Sequence, residues 1–195
     1  MKLYVGTDST WSLRTLICFD IAKVTFDLEI FKLNDDASRK SLKEMSPTGL
    51  VPFLKSGDIL INDSLSIAEY LNEYKKDSLY PIDPEQRALS RSLCAEIHSG
   101  FMSVRQQMPF STSTNVKNIS LSPQTLNELT RIESIFSGSK ANFFWGERPT
   151  VVDAFYSVMA FRLKLYGVSF SGNAGRYQNS MVEWDSLINN MKTVS

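Results

Sequence analysis

Pro52-Phe53-Leu54-Lys55-Ser56-Gly57-Asp58-Ile59-Leu60-Ile61-Asn62-Asp63-Ser64-Leu65 sets two short apolar runs on either side of Ser-Gly-Asp and then changes period. The two runs with a Gly-containing turn between them predict a β-hairpin. From Ser64 to Tyr74 the apolar residues Leu65, Ile67, Ala68 and Leu71 fall at helical spacing, which predicts a helix starting where the hairpin ends. Working backwards, Asp36 to Met45 is a short polar helix candidate. Thr25 to Phe31 alternates with period two and reads as a strand. Trp11 to Ala22 carries Leu13, Leu16, Ile17 and Ile21 at helical spacing, and Leu3-Tyr4-Val5 is a short strand ending at Gly6.

The order over the first 75 residues is therefore β-α-β, then α, then β-β-α. A βαβ unit gives two parallel strands joined by a crossover helix, and the hairpin adds an antiparallel pair. The expected result is a four-stranded mixed sheet in a thioredoxin-like domain over residues 1–75. Lys75 to Pro84, with two prolines and several polar residues, reads as a linker (76–84). Beyond it, residues 85–195 predict an all-helical bundle. Glu85 to about Met108 has helical periodicity up to Pro109. Phe110 to Ser122 reads as loop. A helix opens at Ser122-Pro123, with proline in its first turn, and runs through Phe136. Thr150 to Tyr166 is apolar on nearly every side, as the central helix of a bundle is. Gly167 to Tyr177 reads as loop and Met181 to Met191 as a final helix.

Composition narrows the function classes. The chain has 195 residues, 43% hydrophobic and 22% charged, enough to bury a core. Lys+Arg and Asp+Glu are both 21, so there is no basic footprint for nucleic acid. Two cysteines, Cys18 and Cys94, cannot form a disulfide framework and suggest a reducing compartment. No apolar run is long enough for a membrane helix, and the start lacks a signal-peptide pattern. A cytoplasmic protein that uses neither membrane nor nucleic acid is the expectation. One histidine and no cysteine cluster argue against a dedicated metal site.

Three places carry chemistry. Asp8-Ser9-Thr10-Trp11-Ser12 lies at a strand-to-helix junction, where unsatisfied N–H groups and the helix dipole favour an anion. A hydroxyl of Ser9, Thr10 or Ser12 can join them, or simply cap the helix. Thioredoxin-like redox enzymes place Cys-x-x-Cys at this junction; the same spacing here reads Ser9-Thr10-Trp11-Ser12, so thiol–disulfide exchange is excluded. At Val51-Pro52, a cis bond would turn the Val51 backbone outward to pair with an extended peptide, whereas a trans proline would merely open a strand. At Asp63-Ser64, a serine at a helix start can hold a carboxylate and the aspartate an ammonium, together an α-amino-acid terminus, unless the pair is only a cap.

These segments together resemble the cytosolic glutathione transferases, in particular the bacterial serine-type (zeta-like) members. Ser9-Thr10-Trp11-Ser12-Leu13-Arg14 looks like their Ser-x-x-Ser-x-Arg start. Ser46-Pro47-Thr48-Gly49-Leu50-Val51-Pro52 is similar to their Pro-x-Gly-x-Val-Pro loop. Asp63-Ser64-Leu65-Ser66-Ile67-Ala68-Glu69-Tyr70-Leu71 is similar to their Ser-x-x-Ile-x-x-Tyr-Leu helix. Ala95 to Phe101 looks like a segment common in bacterial members, and Thr150-Val151-Val152-Asp153 like the family's capping box, which also has a direct physical reading.

The resemblance implies glutathione as co-substrate, no metal, a small hydrophobic electrophile and a homodimer. It implies an enzyme that conjugates glutathione to electrophiles or isomerises a substrate through a glutathione adduct; a glutathione-transferase-like interaction or regulatory protein without turnover is the alternative. It implies that Val51 pairs with the cysteinyl backbone of glutathione, within a site of Trp11, Leu50, Val51, Pro52, Asp63 and Ser64. Asp63 and Ser64 would hold the γ-glutamyl end, and a hydroxyl near Ser9 would donate to the sulfur. Aligned on Arg14, Ser9 takes the catalytic place; a shift of one selects Thr10, and Ser12 is the third choice. Leu50 departs from the basic or polar residue common there, so the contact to the glycyl carboxylate is either missing or supplied by Arg39, Lys40 or the helical domain. His98, Phe101, Met102 and Arg105 form an i, i+3, i+4, i+7 stripe: either a wall of the electrophile pocket or a core face.

Overall fold

The computed structural model describes residues 1–111 and 119–194. Strands β1 (Lys2–Gly6), β2 (Asp27–Phe31), β3 (Phe53–Ser56) and β4 (Ile59–Asn62) form one sheet in the order β2-β1-β3-β4. β1 and β2 are parallel, joined by helix α1 (Thr10–Ala22); β1–β3 and β3–β4 are antiparallel. This is the mixed sheet expected from the β-α-β, β-β order. Helix α2 (Asp36–Met45) follows β2, and α3 (Ser64–Tyr74) follows β4 directly. The strands are short: β2 begins at Asp27 rather than Thr25, and Gly57 sits in the β3–β4 turn at φ 57°.

α1 and α3 pack on one face of the sheet, burying Leu3, Val5, Leu54, Leu13, Leu16, Ile17, Ile67 and Leu71 completely or nearly so. The other face carries a smaller cluster of Tyr4, Phe31, Leu42 and Phe53, with the Tyr4 and Phe53 rings stacked 4.2 Å apart. Residues 75–83 are tied down. The Asn72 carboxamide oxygen accepts from the N–H groups of Leu79 and Tyr80, and both side chains are buried.

The remainder is helical: α4 (Pro84–Ser99), α5 (Met102–Gln107), α6 (Pro123–Ser137), α7 (Val151–Leu165), α8 (Gly172–Val182) and α9 (Asp185–Thr193). α7 is buried along almost its whole length, as its all-round apolarity requires. Its start is held by a capping box between Thr150 and Asp153. The Asp153 carboxylate also accepts from Phe144 N–H and the Tyr177 hydroxyl; burial pushes its pKa up to about 6 although these hydrogen bonds pull the other way.

Three expectations from periodicity are corrected. Glu85–Met108 is two helices, not one. The chain breaks at Gly100, where a Cβ would lie 2.7 Å from the Glu96 carbonyl oxygen, and Phe101 is left-handed (φ 56°). Arg105 stabilises the break by donating to the carbonyls of Gly100 (3.0 Å) and Ile97, two of the orphan acceptors at the end of α4. Gly172–Tyr177, expected as loop, is the first half of α8. Its glycines and asparagine mimic a loop, but Gly175 is required by close packing: a Cβ there would sit 2.3 Å from the Phe170 carbonyl oxygen. The final helix, expected from Met181, begins only at Asp185 as α9, because the chain turns at Glu183–Trp184 and Met181 and Val182 end α8. The loop expected over Phe110–Ser122 falls mostly on residues 112–118, outside the described residues.

α9 returns to the first part of the chain. The Asp20 carboxylate accepts from Ser186 and Asn190, and Asp8 N–H donates to the Val194 carbonyl (3.0 Å), pinning the loop between β1 and α1. No helix among the described residues is long and apolar enough to cross a membrane.

Candidate functional site

The ends of β1, β3 and β4 and the starts of α1 and α3 meet at one edge of the sheet, beneath the loop 46–52. Together they enclose a cleft of about 1050 Å³ lined by Ser9, Trp11, Leu50, Val51, Pro52 and Asp63, with Arg39 and Lys43 of α2 on its far side. The Val51–Pro52 bond is cis. Among the described residues, neither the N–H nor the C=O of Val51 takes part in a backbone hydrogen bond, so a strand-like edge faces the cleft. Gly6 makes this possible, since a Cβ there would lie 2.8 Å from the Val51 side chain. The loop is closed from within by Ser46, whose hydroxyl donates to the Leu50 carbonyl (2.8 Å) and accepts from its N–H (3.2 Å). Leu50 itself is 67% exposed.

The three hydroxyls at the α1 start have different surroundings. Ser9 is the N-cap, accepting from Ser12 N–H at 3.2 Å, and it lines the cleft; that acceptor role leaves its own O–H free to donate. Thr10 points to the other side of the helix start, into a small cavity. Ser12 is fully buried, with its oxygen accepting from Gly6 N–H at 2.9 Å, so it ties α1 to the end of β1 and does not reach the cleft.

At the α3 start, Asp63 has φ 74°, a left-handed conformation uncommon outside glycine and better tolerated by aspartate. Its Oδ1 caps the helix by accepting from Leu65 N–H (2.7 Å) and Ser66 N–H. Its Oδ2 lies 3.1 Å from His98 Nε2. Ser64 is fully buried, and its oxygen accepts from both Nε (2.8 Å) and Nη2 (2.6 Å) of Arg14. With its lone pairs engaged in that way, the Ser64 hydroxyl can only donate, and it stands behind Asp63 rather than in the lining of the cleft.

Arg14 is the hub that the sequence reading used only as an alignment mark. It is buried, lies 4.2 Å over the Phe155 ring, and its Nη2 is 2.7 Å from His98 Nδ1. Burial, then the neighbouring Arg105, lowers its pKa to about 10, still charged at neutral pH. Only its partners in space reveal the role, since Ser64 and His98 come from different helices. His98 therefore reaches Asp63 and does not line the small cavity. Of the four-residue stripe, Phe101 is buried, Met102 is 54% exposed, and Arg105 alone lines the small cavity; the break at Gly100–Phe101 destroys the shared helical face.

That cavity, about 10 Å³, lies behind the α1 start and gathers Thr10 with Arg14, Arg105 and Arg162. Arg105 stacks 4.5 Å over the Trp11 ring and Arg162 donates to the Met108 carbonyl at 2.6 Å. None of the three arginines is in an ion pair among the described residues. Burial lowers the pKa of Arg162 to about 10, with Arg105 adding to the effect, and burial also lowers that of Arg105. Cys18 and Cys94 are buried, and burial raises the Cys18 thiol to about 12, which removes it from thiolate chemistry. No cluster able to hold a metal occurs among the described residues.

A thioredoxin-like sheet followed by a helical bundle, with a cleft at the cis-proline edge, is the architecture of the glutathione transferase class. Residues 8–74 match the family described as "Glutathione S-transferase, N-terminal domain". The chain is 28% identical over 152 residues to a stringent starvation protein A homolog of Histophilus somni, covering 77% of this chain and 70% of that one. It is 27% identical over 175 residues to a probable maleylacetoacetate isomerase of Caenorhabditis elegans, covering 84% and 81%. In three dimensions it superposes on a glutathione transferase homolog from Burkholderia with bound glutathione, with a TM-score of 0.75, 23% identity, and coverage of 99% and 97%.

Proposed function

We propose that this protein binds glutathione in the cleft and transfers it to a small electrophile, or isomerises a substrate through a glutathione adduct. The observation that carries the reading is convergence: Ser9, Val51 and Asp63, far apart in sequence, line one cleft. The Val51 backbone pairs with the cysteinyl unit as an added strand would. Asp63 takes the α-ammonium, while Ser64 at the α3 start takes the α-carboxylate. Arg39 and Lys43, cations that line the same cleft, are the groups we assign to the glycyl carboxylate in place of Leu50. The Ser9 hydroxyl donates to the sulfur and favours thiolate, with the α1 dipole acting in the same sense. A serine has no useful base strength, so it stabilises the anion rather than removing the proton.

The isomerase form is favoured by one feature. Arg14, Arg105 and Arg162 gather behind the α1 start without a carboxylate partner among the described residues, a positive field that draws an electrophile bearing an anionic group toward the cleft. A homodimer is the assembly we infer, supported by the half-exposed Ile59 and Leu60 on the edge strand β4; sedimentation tests it. Retention on immobilised glutathione, calorimetric titration and a chloronitrobenzene conjugation assay test the main reading. Binding with turnover supports the enzyme. Binding without turnover, on this or on unsaturated dicarboxylate substrates, favours the interaction protein to which the similarity with a stringent starvation protein A homolog points. Absence of binding overturns both.

A further inference from the structure

The hydrogen-bond polarity around Arg14 fixes more than its own position. A guanidinium can only donate, so His98 Nδ1, 2.7 Å from Nη2, must be the acceptor nitrogen of the ring. The proton of a neutral imidazole then sits on Nε2, 3.1 Å from Asp63 Oδ2, where it donates to the carboxylate. One buried arginine thereby orients both polar groups of the α3 start: the buried Ser64 directly, and the cleft-lining Asp63 through His98. Through His98 of α4 the helical part of the chain reaches the carboxylate at the cleft.

We propose that His98 is a positioning residue for glutathione, held as its Nε2–H tautomer by Arg14 so that it fixes the Asp63 carboxylate for the ligand's α-ammonium. This rests on the glutathione reading above. The groups that face His98 are Arg14 from α1, Asp63 at the start of α3, and Arg105 from α5. Protonation would put a second donor against Arg14 and a positive charge beside two arginines. In agreement, burial first, then Arg14 and Arg105, lower the His98 pKa, with Asp63 opposing them. An ammonium arriving on Asp63 adds another positive charge and lowers it further. By linkage, a ligand that lowers a group's pKa binds more weakly once that group is protonated. Affinity therefore falls as pH drops through the His98 titration, by roughly tenfold for each unit by which binding lowers the pKa.

The test uses S-methylglutathione, whose blocked sulfur does not titrate, in calorimetric titrations from pH 5 to pH 8. His98 is the only histidine in the sequence, so its tautomer and titration are read in the ligand-free protein by nitrogen-15 NMR without ambiguity. The expected results are an Nε2–H tautomer and weaker wild-type binding toward pH 5. His98→Leu should bind about tenfold more weakly at neutral pH. His98→Gln, which can accept from Arg14 and donate to Asp63 without titrating, should stay within about threefold of wild type and lose the pH slope. An Nδ1–H tautomer, a wild-type slope in His98→Gln, or wild-type affinity in a folded His98→Leu overturns the proposal. Should the Leu variant not fold, the slope of His98→Gln decides. A wild type that gives no heat at any pH, despite the Nε2–H tautomer, overturns the glutathione reading instead, and this role with it.

Discussion

Two helix starts face the same cleft, and they are built differently. At α1 an aspartate in the left-handed region, Asp8 (φ 51°), precedes Ser9, whose hydroxyl caps the helix at the cleft surface. At α3 the left-handed Asp63 is itself the cap, and behind it stands a buried layer of Ser64, Arg14 and His98. The first start offers a single hydroxyl and a helix dipole, suited to a group whose charge changes during reaction. The second is locked by hydrogen bonds from two other helices, suited to a permanently charged end that must be held still. Groups that hold and groups that react can therefore be separated by mutation.

The largest effect should come from removing the layer behind α3. Arg14→Leu leaves the Ser64 and His98 acceptors without their donor and is expected to cost about 3 kcal/mol of stability, measured by urea denaturation, and to abolish glutathione binding. Unchanged stability would mean that Arg14 is not the hub. Next is Ser64→Ala, which removes a hydrogen bond to a charged group and should weaken glutathione by about 1.5–3 kcal/mol in calorimetry while sparing the rate at saturation. Equal losses in binding and in saturated rate would erase the distinction between the two helix starts.

At α1 the expected pattern inverts. Ser9→Ala should cost about 1 kcal/mol of stability as a lost cap. It should also raise the pKa of the bound thiol by roughly one to two units, followed by thiolate absorbance against pH, with affinity little altered. The sign follows from the chemistry: losing a donor to the thiolate disfavours the charged form, so activity moves to higher pH. A shift in Thr10→Ala and none in Ser9→Ala would transfer the role. The smallest functional effect belongs to Ser12→Ala, which strands the buried Gly6 N–H and should cost roughly 1 kcal/mol of stability with no change in the thiol titration.

Much of the sheet region was legible because its signals are local. The turn at Ser56-Gly57-Asp58, the alternation up to Phe31 and the helix over Ser64–Tyr74 all depend on neighbours within a few residues, and the chain follows them. The cis bond at Val51–Pro52 and the gathering of Ser9, Val51 and Asp63 agree with the motif reading. What failed was set by tertiary contact. Gly175 looks like a loop residue but permits close packing on Phe170, so α8 forms against its composition. Gly100 and Phe101 interrupt a periodicity that continues unbroken in the letters. Arg14 carried no sign of its role, because its partners lie 50 and 84 residues away.

The Asp8 N–H to Val194 carbonyl bond has a consequence for the order of assembly. The loop that presents Ser9 comes early in synthesis, yet its final restraint is supplied by the residue that follows α9. A nascent chain, made from its N-terminus, can form the sheet and α1 long before that partner exists. Competence at Ser9 should thus mature last, at the docking of α9. In refolding experiments the recovery of a sulfur-facing probe should trail the secondary-structure signal of the sheet, and a stop before Asp185 should leave the two permanently uncoupled.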